Sequence, residues 1–327
     1  MANKRHFDEI DIVKGIAILF VLWHHSFILY PIYMLDIPWC QYAMSIHATF
    51  FMNVFFLVSG YLFANSTQRS FYENFKKKAS RLLVPYFSYA AINLIVKIAF
   101  PSLVNRKVEG IDDYIWNFFF HGGELWFIYV LFIIFLIWPP MLQRMNKKNT
   151  SGIILLLIIL NGIIPSDLKN GIFLYNKVLF YSIIFITGYL LKDFNREKLA
   201  NKRYFYISSF LFLVFCVALV QTIYIPYIWK YVLAFIGCWF VWSLSFQLQK
   251  LQSVKNALSF CGKNSLAFYW LNGFALVPAR MLIVKILHIE STPLIVTSIF
   301  LLCVLFETVA ILGLKRISLA KTLIGIN

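Results

Sequence analysis

The chain has 327 residues, of which 61% are hydrophobic and only 13% charged, with a net charge of +16. A soluble domain normally carries about 25% charged residues, so the surplus of apolar side chains excludes a water-facing globule and points to lipid as the solvent. The basic residues fall in short loops between apolar runs and form no continuous patch, which excludes a nucleic-acid track.

Ten apolar stretches read as spanning helices, over 11–31, 43–65, 83–104, 124–144, 151–165, 175–192, 204–223, 227–247, 264–286 and 293–314. The fifth is short and reads as tilted, broken or re-entrant. The first is preceded by Asp8, Glu9 and Asp11 and followed by no small-residue cleavage site, so no cleaved signal is expected. Lys and Arg alternate strongly between loops. With the N-terminus inside, one side holds 21, from Lys4 and Arg5 through Arg69 to Lys315, Arg316 and Lys321. The other side holds five, namely Arg106, Lys107, Lys169, Lys177 and Lys285. This skew orients the chain with both termini cytoplasmic. The expected fold is all-α and polytopic, a single integral membrane domain over 1–327, multi-pass in the cell (inner or plasma) membrane. Within the basic loop 66–82, Phe71, Phe75 and Leu82 or Leu83 recur at helical spacing, as in an amphipathic helix on the inner leaflet. The five cysteines lie far apart with no CxxC pair, so neither a disulfide framework nor a metal site is expected.

Ionisable groups inside spans are costly and therefore candidates for function. They are Lys14, His24, His25, Lys97, Glu124, Lys230, Arg280 and Glu307. Lys97, Lys230 and Arg280 are equally read as snorkelling to an interface, and Glu307 as pairing with a basic residue on a neighbouring helix. Lys14 and His25 are eleven residues apart, which is three turns plus about 20°, so they share one face about 16 Å apart. Asp11 lies one turn before Lys14. An imidazole there has the chemistry to take a proton from a hydroxyl, and an amine near the cytoplasmic end the charge to hold an anion.

Four further segments stand out. Ser59-Gly60 interrupts an aromatic-rich helix, where small residues let another backbone or a ligand approach. Lys78 and Arg81 sit three residues apart at the inner boundary, ahead of Pro85 at a helix start; they suit a diphosphate, acidic lipid or ordinary positive-inside placement equally well. Gly122-Gly123-Glu124-Leu125-Trp126 opens a span with Glu124 at the helix N-terminus. Gly262-Lys263-Asn264-Ser265 offers Asn264 or Ser265 as an N-cap, with Asn272 two turns inside and in need of a partner.

These segments, in this order, resemble membrane-bound acyltransferase family 3, in the branch of fucose 4-O-acetylases and polysaccharide O-acetyltransferases. The resemblance covers roughly residues 7–275 and is most specific at DIVKGIAILFVLWHH, where a basic residue and a His are separated by ten residues. FFMNVFFLVSGYLF, KASRLLVPY, GELWFIYVLF and GKNSLAFYWLN resemble the family's later segments. Relatives in this branch often carry His-Met-Pro where Phe51-Met52-Asn53 stands, and a His where Glu124 and Asn272 stand; the roles of those three positions are not carried over. The resemblance implies an acyl-coenzyme A donor, usually acetyl-coenzyme A, and a hydroxyl of a surface polysaccharide or lipid-linked sugar as acceptor. It implies His25 as the catalytic base, acting directly or through an acylated intermediate, with Lys14, Lys78 and Arg81 on the donor. Asp11, Ser59, Glu124, Trp126 and Asn272 are left as orienting or acceptor-side candidates. Membrane lipid and a glycan synthesis complex are the expected partners. The rival reading is a transporter or exporter of glycan or lipid, which also shows many spans and intramembrane charges.

Overall fold

The computed structural model describes residues 7–27, 32–66, 70–101, 110–164, 171–221 and 227–326, and every regular element among them is helical. In chain order the α-helices are α1 (Asp8–His25), α2 (Pro38–Ala48), α3 (Phe51–Ala64), α4 (Phe71–Lys78), α5 (Val84–Ala99), α6 (Ile111–His121), α7 (Trp126–Leu142) and α8 (Lys147–Ile163). They continue as α9 (Tyr175–Leu190), α10 (Lys202–Gln221), α11 (Tyr227–Leu248), α12 (Gln252–Lys263), α13 (Ser265–Arg280), α14 (Thr292–Leu314) and α15 (Ser318–Ile324). Lys4, Arg5, Arg69, Arg106, Lys107 and Lys169 of the charge pattern lie outside the described residues, as do residues 28–31, 102–104, 165 and 222–223 of the expected spans.

Among the described residues, seven helical stretches are long and apolar enough to cross a membrane: Pro38–Ala64, Phe71–Ala99, Ile111–Leu142, Lys202–Val220, Tyr227–Leu248, Ser265–Ile286 and Thr292–Leu314. The three other expected spans coincide with α1, α8 and α9. α1 carries Asp8, Glu9, Asp11 and Lys14, while α8 and α9 have 17 and 16 residues, fewer than the roughly 20 of an upright span. Four helices were not expected, α15 beyond the last span among them. α6 lies where an outer loop was read, and α12 where an inner loop was read, because a short polar-faced helix has no hydropathy signal. α2 extends the second span toward its N-terminal side.

Two compact units are present, one formed by the described residues up to Phe55 and from Asn195 to Arg316, the other by Phe56–Phe194 with Ile317–Gly325. In the first, α1 is the hub, packed against α2, α11, α12, α13 and α14. Its first turn carries Asp8, Glu9 and Asp11, which the helix dipole favours at an N-terminus. Lys255 of α12 pairs with Asp8 at 2.7 Å, and Arg196 pairs with Glu9. α1 and α12 cross at backbone contact. A Cβ on Gly15 would collide with the Leu258 carbonyl, and one on Gly262 with the Asp11 carbonyl.

The second unit repeats this device between α3 and α9. Gly60 lies on the Phe185 carbonyl and Gly188 on the Leu57 carbonyl. The Ser59-Gly60 interruption therefore admits another helix backbone. α7 packs on α9 and α4, with Trp138 Nε1 donating to Ser182 Oγ at 2.6 Å. α15 packs on α5, where Ser88 Oγ donates to the Leu323 carbonyl.

Candidate functional site

The functional residues read from the sequence fall into both units. Asp11, Lys14, His25 and Asn272 belong to the first, and Ser59, Lys78, Arg81, Glu124 and Trp126 to the second.

In the first unit, α1 is unbroken from Asp8 to His25, so the helical offset between Lys14 and His25 holds. Lys14 Nζ pairs with Asp11 Oδ1 at 2.7 Å, one turn apart. The Asp11 side chain is 9% and the Lys14 side chain 19% exposed, so the pair is largely withdrawn from water. His25 closes the helix. Its side chain is exposed. Beside it, His24 Nδ1 and His47 Nε2 share a hydrogen bond of 2.7 Å. The His24 ring stands edge-on to both His25 and His47 and packs on Phe51. His47, from α2, is buried. The sequence reading passed over it because it sits near the edge of the second apolar run; a lone His among Met44, Ile46 and Phe50 was its only signal.

Asn272 Nδ2 donates to Glu307 Oε1 at 3.1 Å, and Glu307 is fully buried. Among the described residues the partner of Glu307 is thus an amide and not the expected cation. Asn264 does not cap α13 through its side chain; its Nδ2 donates back to the Phe260 carbonyl at the end of α12.

In the second unit, Ser59 is half-buried beside the Gly60 crossing. Lys78 ends α4, with its Nζ 3.5 Å from the centroid of the Phe135 ring. Ala79–Leu83 is a π-helical turn that carries the exposed Arg81. The cause is Pro85, which has no N–H to give and whose ring crowds the carbonyl four residues back, that of Arg81. The wider turn removes the regular three-residue offset that would have set Lys78 and Arg81 on one α-helical face.

Glu124 is the best-held polar group of this unit. Its Oε1 accepts from Lys97 Nζ at 2.6 Å, and its Oε2 from Tyr89 OH at 2.6 Å and Asn93 Nδ2 at 2.9 Å. Tyr89, Asn93 and Lys97 lie four residues apart along α5 and converge on one carboxylate. Lys97 does not snorkel; it is buried and paired. Asn93 and Tyr89 were missed, although polar residues at 89, 93 and 97 on an apolar helix are a legible stripe. Trp126, half-buried at the start of α7, packs on Tyr181 and lies under Lys177 Nζ at 4.0 Å.

Among the described residues, no group of three His, Cys, Asp or Glu side chains is arranged to hold a metal. A family model described as an acyltransferase domain matches residues 7–312. No curated protein and no solved structure matches the chain.

Proposed function

This chain is a member of acyltransferase family 3, and on that premise we propose that it moves an acyl group, in its simplest form acetyl, from cytoplasmic acyl-coenzyme A to a hydroxyl of a cell-envelope sugar. We read the seven long helices together with α1, α8 and α9 as ten spans of a cell-membrane protein with both ends in the cytoplasm.

The observation that carries the chemistry is the exposed His25 ring at the end of a helix whose other end holds the Lys14–Asp11 pair. An imidazole in that position is able to take the proton of a sugar hydroxyl as the oxygen attacks the thioester carbonyl. The carbon–oxygen bond forms, the carbon–sulfur bond breaks, and coenzyme A leaves as the thiolate, which recovers the proton from the imidazolium. An acyl-enzyme route through His25 balances in the same way over two steps. Lys14 lies about 16 Å along α1 from His25, a distance that an extended pantetheine arm covers. Its charge suits the donor's phosphates, with Asp11 fixing the amine. On their sequence position alone, Lys78 and Arg81 are proposed as donor-side cations.

The test is mass spectrometry of envelope glycans from cells making the wild-type protein or His25→Gln, with membrane insertion of both checked. The expected result is acyl-bearing glycan in the first and a loss of about a hundredfold or more in the second. Undiminished acylation by His25→Gln removes the base. Glycan flux through reconstituted protein with no acyl donor present favours the transporter instead.

A further inference from the structure

Two imidazoles stand side by side at the end of α1, and they are held differently. His25 is exposed and has no hydrogen-bond partner among the described residues. His24 is half-buried, with its Nδ1 2.7 Å from Nε2 of His47. His47 is itself held in place. Its ring packs against Phe20, Phe27 and Phe51, and it makes a backbone hydrogen bond with Ala43, one turn earlier in α2. All of these residues belong to the first unit.

This chain of bonds fixes where the protons sit. A neutral imidazole has one N–H donor and one bare acceptor nitrogen. The backbone group that a helical side chain meets four residues back is a carbonyl, which only accepts. The His47 nitrogen facing Ala43 therefore carries a proton, and with Nε2 turned to His24 that nitrogen is Nδ1. With both rings neutral, His24 Nδ1 donates to His47 Nε2, and His24 Nε2 is left bare. His24 thus offers one basic nitrogen in a fixed tautomer, as a general base does when a third group orients it. The His24 and His25 rings stand at 82° with centroids 5.6 Å apart. At that spacing, an oxygen approaching a carbon borne by one ring, from about 3–3.5 Å, comes within reach of the other.

We propose that these imidazoles divide the work: His25 carries the acyl group, His24 takes the acceptor's proton, and His47 is a positioning residue that sets the His24 tautomer. The inference rests on the acyltransfer reading and selects its two-step route. In the first step a ring nitrogen of His25 bonds the thioester carbon and the carbon–sulfur bond breaks. The coenzyme A thiolate takes the proton lost from the other His25 nitrogen. In the second step the hydroxyl oxygen bonds the acyl carbon, the carbon–nitrogen bond breaks, and the hydroxyl proton passes to His24 Nε2. The His24 imidazolium then returns that proton to the departing His25 ring, which restores both. An acylated ring has given its near nitrogen to the carbon, so the second step needs another base, and His24 is the oriented one beside it.

The experiment mixes the full chain in micelles rapidly with acetyl-coenzyme A alone, so that water is the acceptor, and follows free thiol. Wild type is expected to release about one equivalent per protein in a burst and then to turn over slowly. His25→Gln is expected to lose the burst. In His24→Phe and His47→Phe the slow phase is expected to fall about tenfold or more relative to the burst. His47→Gln, which keeps a hydrogen-bond partner for His24 Nδ1, is expected to recover part of it. A purely structural role would lower both phases together, and thermal midpoints report whether each variant is folded. Nitrogen-15 NMR of wild type labelled at histidine gives an independent measurement: a bare Nε2 on His24, identified by its loss in His24→Gln. A protonated Nε2 on His24, an unchanged slow phase in His24→Phe, or burst and slow phase falling together overturns the inference. Thiol release without a burst overturns it while the acyltransfer reading stands. No thiol release from wild type defeats that reading and the inference with it.

Discussion

Gly15 of α1 lies directly on the backbone carbonyl of Leu258 in α12, and Gly262 returns the contact against the Asp11 carbonyl. The crossing holds the Lys14–Asp11 segment against a short amphipathic helix, with no side chain between the two backbones. Gly15→Ala places a methyl where only backbone fits. Forced separation of two packed helices costs about 1–3 kcal/mol, and more where the obstacle is backbone that cannot rotate away. The variant is expected to melt at lower temperature and to lose acyltransfer in step. Gly152→Ala and Gly313→Ala, in helices with nothing within 4 Å of the added methyl, are expected to be neutral or slightly stabilising, since alanine is the better helix former. Equal effects at Gly15 and Gly152, read by thermal unfolding, would remove the crossing as the explanation.

How much of this was readable from sequence depends on distance along the chain. The shared face of Lys14 and His25 follows from helical geometry once α1 is continuous, and the close approach at Gly60 follows from the loss of a side chain in an aromatic run. The 89, 93 and 97 stripe was also written in the spacing, but Lys97 was read by itself and its partner Glu124 lies 27 residues away, a separation that carries no periodic signal. His47 was hidden for the same reason: its meaning comes from His24 on another helix. α6 and α12 escaped because hydropathy recognises apolar length, while these helices are short and polar on one side. The π turn before Pro85 was implied by a proline at the head of a helix that does not stop upstream, yet the regular three-residue offset was assumed in its place.

The Lys97–Glu124 pair is predicted to respond asymmetrically to mutation. Glu124→Gln leaves the ammonium of Lys97 buried at 10% exposure without its counter-charge. Lys97→Met leaves a carboxylate that is 39% exposed and still accepts from Tyr89 and Asn93. Breaking a buried pair costs about 3–5 kcal/mol, and partial exposure of the survivor reduces it. Glu124→Gln is therefore expected to destabilise by about 2–4 kcal/mol and Lys97→Met by about half of that or less. The double variant should recover most of the larger loss. Chemical unfolding in micelles gives the order, and a greater cost for Lys97→Met would contradict it.

His47 meets His24 by a hydrogen bond and by ring packing, and conservative substitutions separate the two. His47→Gln keeps a group able to bond His24 Nδ1, whereas His47→Phe keeps the ring and leaves that nitrogen without its partner. A half-buried polar atom that loses its bond costs about 1–3 kcal/mol. The expected order of stability is wild type, then His47→Gln, then His47→Phe, with acyltransfer following the same order because His25 adjoins His24 on α1. Thermal unfolding and single-turnover transfer on the three proteins check this. A phenylalanine variant as stable and active as wild type would reduce the contact to ring packing.

Glu307 gives the clearest case of a polar group that the fold tolerates only with its partner. It is fully buried in α14, with Oε1 accepting from Asn272 and Oε2 without a hydrogen bond among the described residues. Glu307→Gln keeps an acceptor for the Asn272 amide and removes a group whose ionised form is expensive in that position. It is expected to change stability by less than about 1 kcal/mol or to raise it. Asn272→Leu leaves the carboxyl buried with no partner, so it carries the largest penalty, about 3 kcal/mol or more. Joint replacement of both by leucine removes the donor and the acceptor together and should restore most of that loss, since an apolar pair leaves nothing unsatisfied. Thermal midpoints of the three variants decide it. If the double variant falls further than Asn272→Leu alone, the two residues are not coupled as the hydrogen bond requires.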